Sequence, residues 1–231
     1  MKKELLLHIS CILAAVSAFF AASVPVCAVT PKDDPFEFTR HRGAFTGALV
    51  SQAAYHLEVS YHYMLNRYVG LGGGLGLWQN YFSDGYPQGP EWRLDEDSAR
   101  PGNLYLRLSA LLKTPSITFK SARWGLMAEP ACMLQVPYTR VYVNDMYGIV
   151  EANSHRLSTN NGQWLVVELR TGIYVNFGPI GINAGYALSN LDIYSYYRNL
   201  SYNGVSFRRF YPAPNPISHG AFLTAAYYFG N

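Results

Sequence analysis

The chain has 231 residues, a net charge of +3 and a charged fraction of only 14%, together with 20 glycines and 19 tyrosines. A soluble protein of this size normally carries more charge. The small, scattered positive charge excludes a nucleic-acid-binding surface. Beyond the N-terminal segment there is no run of 18 apolar residues, which excludes helical membrane spans.

The first 28 residues have the pattern of a signal peptide. Two lysines precede an apolar stretch from Leu5 to Val26, and small residues then indicate cleavage after Ala28. A retained transmembrane helix is the alternative, but polar residues and a proline interrupt the run. A lipid anchor at Cys27 is a second alternative, and it is disfavoured because the residues before this cysteine are not small.

The mature chain is predicted to be one domain, with residues 29–40 as a periplasmic segment and residues 41–231 as the folded unit. Cys11 and Cys27 leave with the signal peptide, so Cys132 stands alone. This excludes an intramolecular disulfide and a cysteine-based metal site. A closed sheet, in which every backbone N–H and C=O is paired, supplies stability of another kind.

Alternation of apolar and polar residues predicts strands. It is clearest over residues 55–65, where every odd position is apolar. In the next strand one face carries Gly70, Gly72, Gly74 and Gly76, which suits a narrow lumen where bulky residues need room. Alternation is poor only in the first of the eight predicted strands, which are 41–50, 55–65, 68–78, 104–112, 123–136, 165–176, 180–189 and 221–229.

Short and long connections alternate along the chain, as in bacterial outer-membrane barrels with periplasmic turns and extracellular loops. We therefore predict an all-β fold, an eight-stranded antiparallel up-and-down transmembrane β-barrel with both termini in the periplasm. The short periplasmic turns are predicted at 66–67, 114–115 and 178–179, a short outer turn at 51–53, and long extracellular loops near 80–101, 137–162 and 195–218.

A lipocalin-like secreted barrel has the same alternation, with its apolar face inside. Two observations favour the membrane instead. The polar faces carry one or two charges per strand and almost no lysine, which is poor solvation for a surface exposed to water. Near the strand ends, Trp78, Trp124, Tyr63 and Tyr227 are expected to form interfacial girdles on the apolar face.

Three features carry a resemblance to known proteins: the signal peptide, residues 66–68 leading into the glycine-rich 70–76, and the closing strand that ends at Phe229. With them the chain resembles the small outer-membrane β-barrel families of Gram-negative bacteria. It is similar to the transmembrane domain of OmpA and to OmpX, and especially to the porin-like outer membrane protein beta-barrel domain. The resemblance implies outer-membrane lipid, lipopolysaccharide and the barrel-insertion machinery as partners. The family commonly ends on an aromatic residue, whereas Gly230 and Asn231 follow Phe229 here.

Five charged residues are expected to face the lumen near its middle. They could form a gate or a polar path for small solutes. A structural plug is the favoured alternative, because buried charges need partners and eight-stranded lumens are usually filled by side chains. The five residues are Glu58, Arg107, Glu129, Glu168 and Arg170.

Other constellations are weak. His56 and His62 lie about 20 Å apart on one strand, too far to share a metal ion, and 95–97 matches no calcium-loop pattern. His155 and Ser158 are the nearest candidates for a set like that of lipid A deacylase, but they fall in a predicted loop. We expect no metal, no cofactor and no enzymatic activity.

The last long loop is rich in aromatic residues, which indicates contact with a partner or a glycan; self-packing of the loops is the alternative. The resulting hypothesis is a barrel with a structural or surface-interaction role. A narrow channel for small solutes is second and a lipid A-modifying hydrolase third. The loop residues are Tyr196, Tyr197, Tyr202, Phe207, Phe210 and Tyr211.

Overall fold

The computed structural model describes residues 39–81, 87–148, 150–214 and 217–230. The predicted signal peptide and nearly all of the predicted periplasmic segment lie outside the described residues. Fifteen strands are present: β1 (His41–Val50), β2 (Ala54–Met64), β3 (Val69–Asn80), β4 (Gln88–Gly89), β5 (Trp92–Leu94), β6 (Gly102–Lys113), β7 (Ile117–Phe119), β8 (Ala122–Gln135), β9 (Thr139–Tyr147), β10 (Val150–Thr159), β11 (Leu165–Phe177), β12 (Ile180–Ser189), β13 (Ser201–Tyr202), β14 (Val205–Ser206) and β15 (Ser218–Phe229).

Eight of these strands close into an antiparallel barrel in the order β1-β2-β3-β6-β8-β11-β12-β15. Closure comes from β15, which pairs with β1 along ten residues from Phe229 opposite His41 to Gly220 opposite Val50. The predicted fold class and all eight predicted strands are confirmed. The first strand alternates poorly in sequence because Gly43 and Gly47 stand on its outer face. Its pairing with β2 and β15 holds it in the barrel.

Side chains of the barrel strands alternate between the lumen and the outer wall. In β15 every second residue is buried and every other one is exposed, with Tyr227 56% exposed. Trp124 and Tyr63 also lie on the outer wall. The prediction for Trp78 is wrong: it is even-numbered like the glycines of β3, so it points into the lumen and is 3% exposed.

The long connections contain structure that alternation did not reveal. The predicted loop 137–162 is a hairpin of β9 and β10, which joins β5 and β4 in a four-stranded sheet outside the barrel. The connection predicted in the region of residues 114–115 joins β6 to β8. Within it the chain forms β7 and turns at Lys120, where φ is 55°. In the described part of the chain the only helices are short 3-10 turns, and no helix could cross a membrane.

The glycines of β3 let side chains from the two flanking strands meet. Glu58 and Tyr105 lie on either side of Gly76, and His62 and Ser109 lie on either side of Gly72. Strands two positions apart in a sheet are separated by about 10 Å, a distance that these side chains span only because the strand between them has none. A Cβ at Gly76 would overlap the Tyr105 ring.

We therefore expect Gly76→Leu to destabilise the barrel, by about 1–3 kcal/mol for overpacking and further through displacement of Tyr105. Gly47→Leu is the matched control, since a Cβ at Gly47 on the outer wall meets only a Leu57 methyl group at 4.0 Å. The urea midpoint in detergent micelles, followed by tryptophan fluorescence, measures both variants. Equal midpoints for the two variants would contradict this account of the glycines.

Candidate functional site

The five predicted lumen residues form one buried cluster of charges. Arg170 donates two hydrogen bonds to Glu58, each 3.0 Å long, in a bidentate pair. Its Nε lies 2.8 Å from Glu168 Oε1. Arg170 and Glu58 are each 1% exposed, so this pair is screened from water and depends on its own geometry.

Arg107 connects the remaining carboxylates. Its Nη1 donates to Glu168 over 2.5 Å and its Nη2 to Glu129 over 3.3 Å, while its Nε lies 3.6 Å from Glu58. The two guanidiniums therefore share three carboxylates, and every charge in the cluster has at least one partner of opposite sign. Tyr105 adds a hydrogen bond from its hydroxyl to Glu58 Oε2 at 3.1 Å.

The register of the strands brings these groups to one level. Arg170 lies directly opposite Glu129 across the β8–β11 ladder, and Glu168 is two residues away on the same face of β11. Arg107 lies opposite Gly74 across the β3–β6 ladder. All five side chains thus converge from β2, β6, β8 and β11.

A second polar group surrounds His62. Arg42 Nη1 lies 3.1 Å from His62 Nδ1, Ser109 Oγ lies 2.9 Å from His62 Nε2, and Glu129 Oε1 is 3.8 Å from the same Nε2. A guanidinium only donates, so Nδ1 must accept and Nε2 must carry the proton. His62 therefore donates to Ser109 and cannot take a proton from it, which removes the base that a Ser–His–Glu set would need.

Sequence reasoning did not single out Arg42, because the first strand alternates poorly. Its even number, shared with Ala44, Thr46 and Ala48, was the available signal. His56 points into the lumen beside the Tyr105 ring, with ring centroids 5.9 Å apart. In the described part of the chain, no group of three or more His, Cys, Asp or Glu side chains could hold a metal ion.

Apolar side chains fill the lumen between the charges and the end of the barrel where β1 ends and β15 begins. Trp78 belongs to this layer, and its indole donates to Gln135 Oε1 at 2.8 Å. Leu191 and Ile193, which follow β12, fold back into the mouth of the barrel and are fully buried there. The layer consists of Val50, Ala54, Trp78, Tyr105, Met133, Val166, Leu191 and Ile193.

His155 and Ser158 are not brought together. His155 lies opposite Val143 and Ser158 opposite Arg140, so the two side chains project from opposite faces of β10. His155 Nε2 instead lies 2.8 Å from Asp145 Oδ2. Hydrogen bonds from Tyr202 and His155 hold the pKa of the Asp145 carboxyl below its usual value.

The aromatic side chains of the last loop pack against the four-stranded sheet of β4, β5, β9 and β10. Trp92 stacks on Phe207 with centroids 5.7 Å apart, and Val141 and Val143 of β9 are fully buried beneath them. Packing of the loop against the sheet therefore accounts for the positions of these rings. Because most of the rings are buried, their burial does not favour contact with a partner. Contact with a partner stays a prediction. Of the six predicted residues, Tyr196, Tyr197, Phe207 and Tyr211 are buried, and Tyr202 and Phe210 are partly buried.

Comparison with known proteins identifies no matching family model and no matching curated protein. Solved structures do match. The N-terminal β-barrel domain of OprF from Pseudomonas aeruginosa is 12% identical, over 82% of this chain and 96% of that one, with a TM-score of 0.37. Neisserial surface protein A is 12% identical, over 82% and 96%, with a TM-score of 0.40.

The outer-membrane enzyme PagL is 11% identical, over 81% of this chain and 99% of that chain, with a TM-score of 0.40. The eight-stranded barrel that the resemblance implied is confirmed by the strand order of the structure itself. At such identities and TM-scores, the likeness carries no argument about activity or partners.

Removing one member of the charge cluster should be costly. Arg170→Ala leaves Glu58 without its bidentate partner and Glu168 with one partner fewer, and we expect a loss of about 3–5 kcal/mol in the free energy of unfolding. Urea unfolding in detergent micelles measures it.

The double variant Arg170→Met/Glu58→Gln is the matched control. It removes both charges of the pair and should be less destabilised than Arg170→Ala. If the single variant were as stable as the wild type, the cluster would not be the central structural element of the lumen.

Proposed function

We propose that this protein is an integral outer-membrane barrel of a Gram-negative bacterium, with a closed lumen and a role at its extracellular surface. The observation that carries the proposal is the lumen itself. A network of paired charges occupies its middle, and the apolar layer around Trp78 fills its extracellular end. Solute movement through this path would require both layers to be displaced.

The outer wall supports placement in a membrane. Monomeric soluble proteins rarely expose contiguous apolar patches larger than a few hundred Å², whereas here the outward positions of neighbouring strands are apolar along their whole length. Tyrosines and phenylalanines cluster at the end of the barrel where β1 begins and β15 ends. Large apolar residues that are exposed on the outer wall of three adjacent strands include Phe45, Leu49, Leu57, Val59, Tyr61, Leu223, Tyr227 and Phe229.

The extracellular sheet supports a role in surface interaction. The last loop packs on one face of this sheet and buries Val141 and Val143 of β9 there. The opposite face presents Arg140, Tyr142 and Arg156 to solvent. We propose this sheet, rather than the lumen or the buried loop aromatics, as the part that meets other molecules, and we propose no enzymatic activity.

Insertion as a closed barrel predicts heat-modifiable mobility. The folded protein in detergent should migrate faster on a gel than the boiled protein, because a closed barrel of paired backbone resists unfolding by detergent. A mobility that does not depend on boiling would count heavily against a closed membrane barrel.

A narrow channel is the second candidate, favoured by the charges in the lumen. With a closed lumen we expect near-zero single-channel conductance in planar bilayers, for the wild type and also for Glu129→Gln, which removes one charge and keeps the side chain's shape. Steady conductance in the wild type that changes in Glu129→Gln would support the channel and overturn the closed lumen.

A further inference from the structure

Strand β10 forms an open edge of the extracellular sheet. The sheet order is β10-β9-β5-β4, so within the described residues β10 pairs only with β9. Its first seven side chains are all exposed, and the strand contains neither proline nor lysine, two devices that commonly block such edges. An edge of this kind can pair with another strand.

A bulge in β10 sets which side chains share a face. Glu151 lies opposite Met146 on β9 and Ser154 opposite Asn144, so β10 has one residue more than β9 between these pairs. Arg156 lies opposite Tyr142. Since Met146, Asn144 and Tyr142 alternate onto one face of β9, Glu151 and Arg156 project from the same face although they are five residues apart.

The same bulge aligns the apolar residues of the strand. Val150 lies opposite Tyr147 and Leu157 opposite Val141, so these two side chains share the other face. Val150 is 62% exposed, and Leu157 is partly buried against the aromatic cluster. The edge therefore carries an acid and an apolar residue at one end, with a base and an apolar residue at the other.

We propose that β10 pairs antiparallel with β10 of a second copy of this chain. The register on β9 places Ser154 two ladder positions from Glu151 and two from Arg156. A two-fold axis at Ser154 therefore sets Glu151 of each copy opposite Arg156 of the other, and Val150 opposite Leu157. A two-fold axis keeps each side chain on its own face of the joined sheet. In a regular strand, residues separated by an odd number of positions lie on opposite faces, so this axis could not pair them. The bulge places Glu151 and Arg156 on one face and Val150 and Leu157 on the other, so both pairings can form.

Both charged residues are available for this contact. The Glu151 side chain is 47% exposed, although it accepts hydrogen bonds from Arg93 and Asn144. An ionised carboxylate has about four acceptor sites. Arg156 donates to the Tyr138 hydroxyl at 2.8 Å, which leaves other N–H groups of its guanidinium for the carboxylate of the second copy.

Charge reversal tests the pairing directly in the purified full chain, folded in density-matched detergent micelles. Sedimentation should show a monomer–dimer equilibrium for the wild type. Glu151→Arg and Arg156→Glu each place like charges opposite one another twice, so we expect each alone to raise the dimer dissociation constant at least about tenfold.

Mixing the two variants should restore dimers, because one copy then has two arginines where the other has two glutamates. The double variant Glu151→Arg/Arg156→Glu should also dimerise by itself. Arg100→Glu, at an exposed arginine outside the four-stranded sheet, is the control and should leave the equilibrium unchanged. Heat-modifiable mobility establishes that each variant is folded.

A wild type that stays monomeric over the whole concentration range would overturn the pairing, as would a mixture of folded single variants that fails to associate. The inference rests on the proposed function, since it names the partner of the extracellular sheet. Bilayer current in the same preparations separates the two: current overturns the closed lumen whatever the mass, whereas a monomer without current overturns the self-pairing alone.

Discussion

Pairing of buried charge is the constraint on which the middle of this molecule depends. An ion taken out of water costs several kcal/mol unless partners of opposite sign meet it in good geometry. Here Arg107 and Arg170 share three carboxylates contributed by three strands. The strands must keep the register that brings these groups to one level, so the network selects one barrel geometry among the near alternatives that an apolar lumen would accept.

The glycine face of β3 is the counterpart of this network. A narrow barrel filled by arginines, tyrosines and histidines has no room for another row of side chains. Gly72, Gly74 and Gly76 supply the missing volume, and pairs from the two flanking strands meet over them, Tyr105 with Glu58 and Ser109 with His62. Because β3 has no side chains at these positions, polar groups of the two flanking strands reach their hydrogen-bond partners across it. These flanking side chains also fill the lumen.

The extracellular half follows a different principle. The aromatic residues of the last loop pack against β5 and β9. They therefore do not form the exposed binding surface that their sequence suggested. Within the described residues, β10 is left as an edge of the four-stranded sheet. The proposed surface role therefore rests on the backbone groups and the polar face of this sheet and not on the loop aromatics.

The sequence by itself determined the eight strands, their order and the side of the wall on which most residues lie, because a period of two is a local property of the chain. It also singled out five of the lumen charges, since few charges occur and these five share the polar face, but it did not single out Arg42 or Lys113, which are buried as well. The even number of Trp78 also predicts that its side chain faces the lumen. We nevertheless assigned it to the interfacial girdle on the outer wall because it lies at a strand end.

Only the tertiary structure decided which charges pair, since the partners Glu58 and Arg170 are 112 residues apart and their meeting depends on register around the whole barrel. It also decided that residues 139–159 form a hairpin, because β9 is held by burial of Val141 and Val143 against a loop far along the chain. The faces of β10 depend on a bulge that no pattern in the strand reveals, since a bulge exists only relative to the strand beside it.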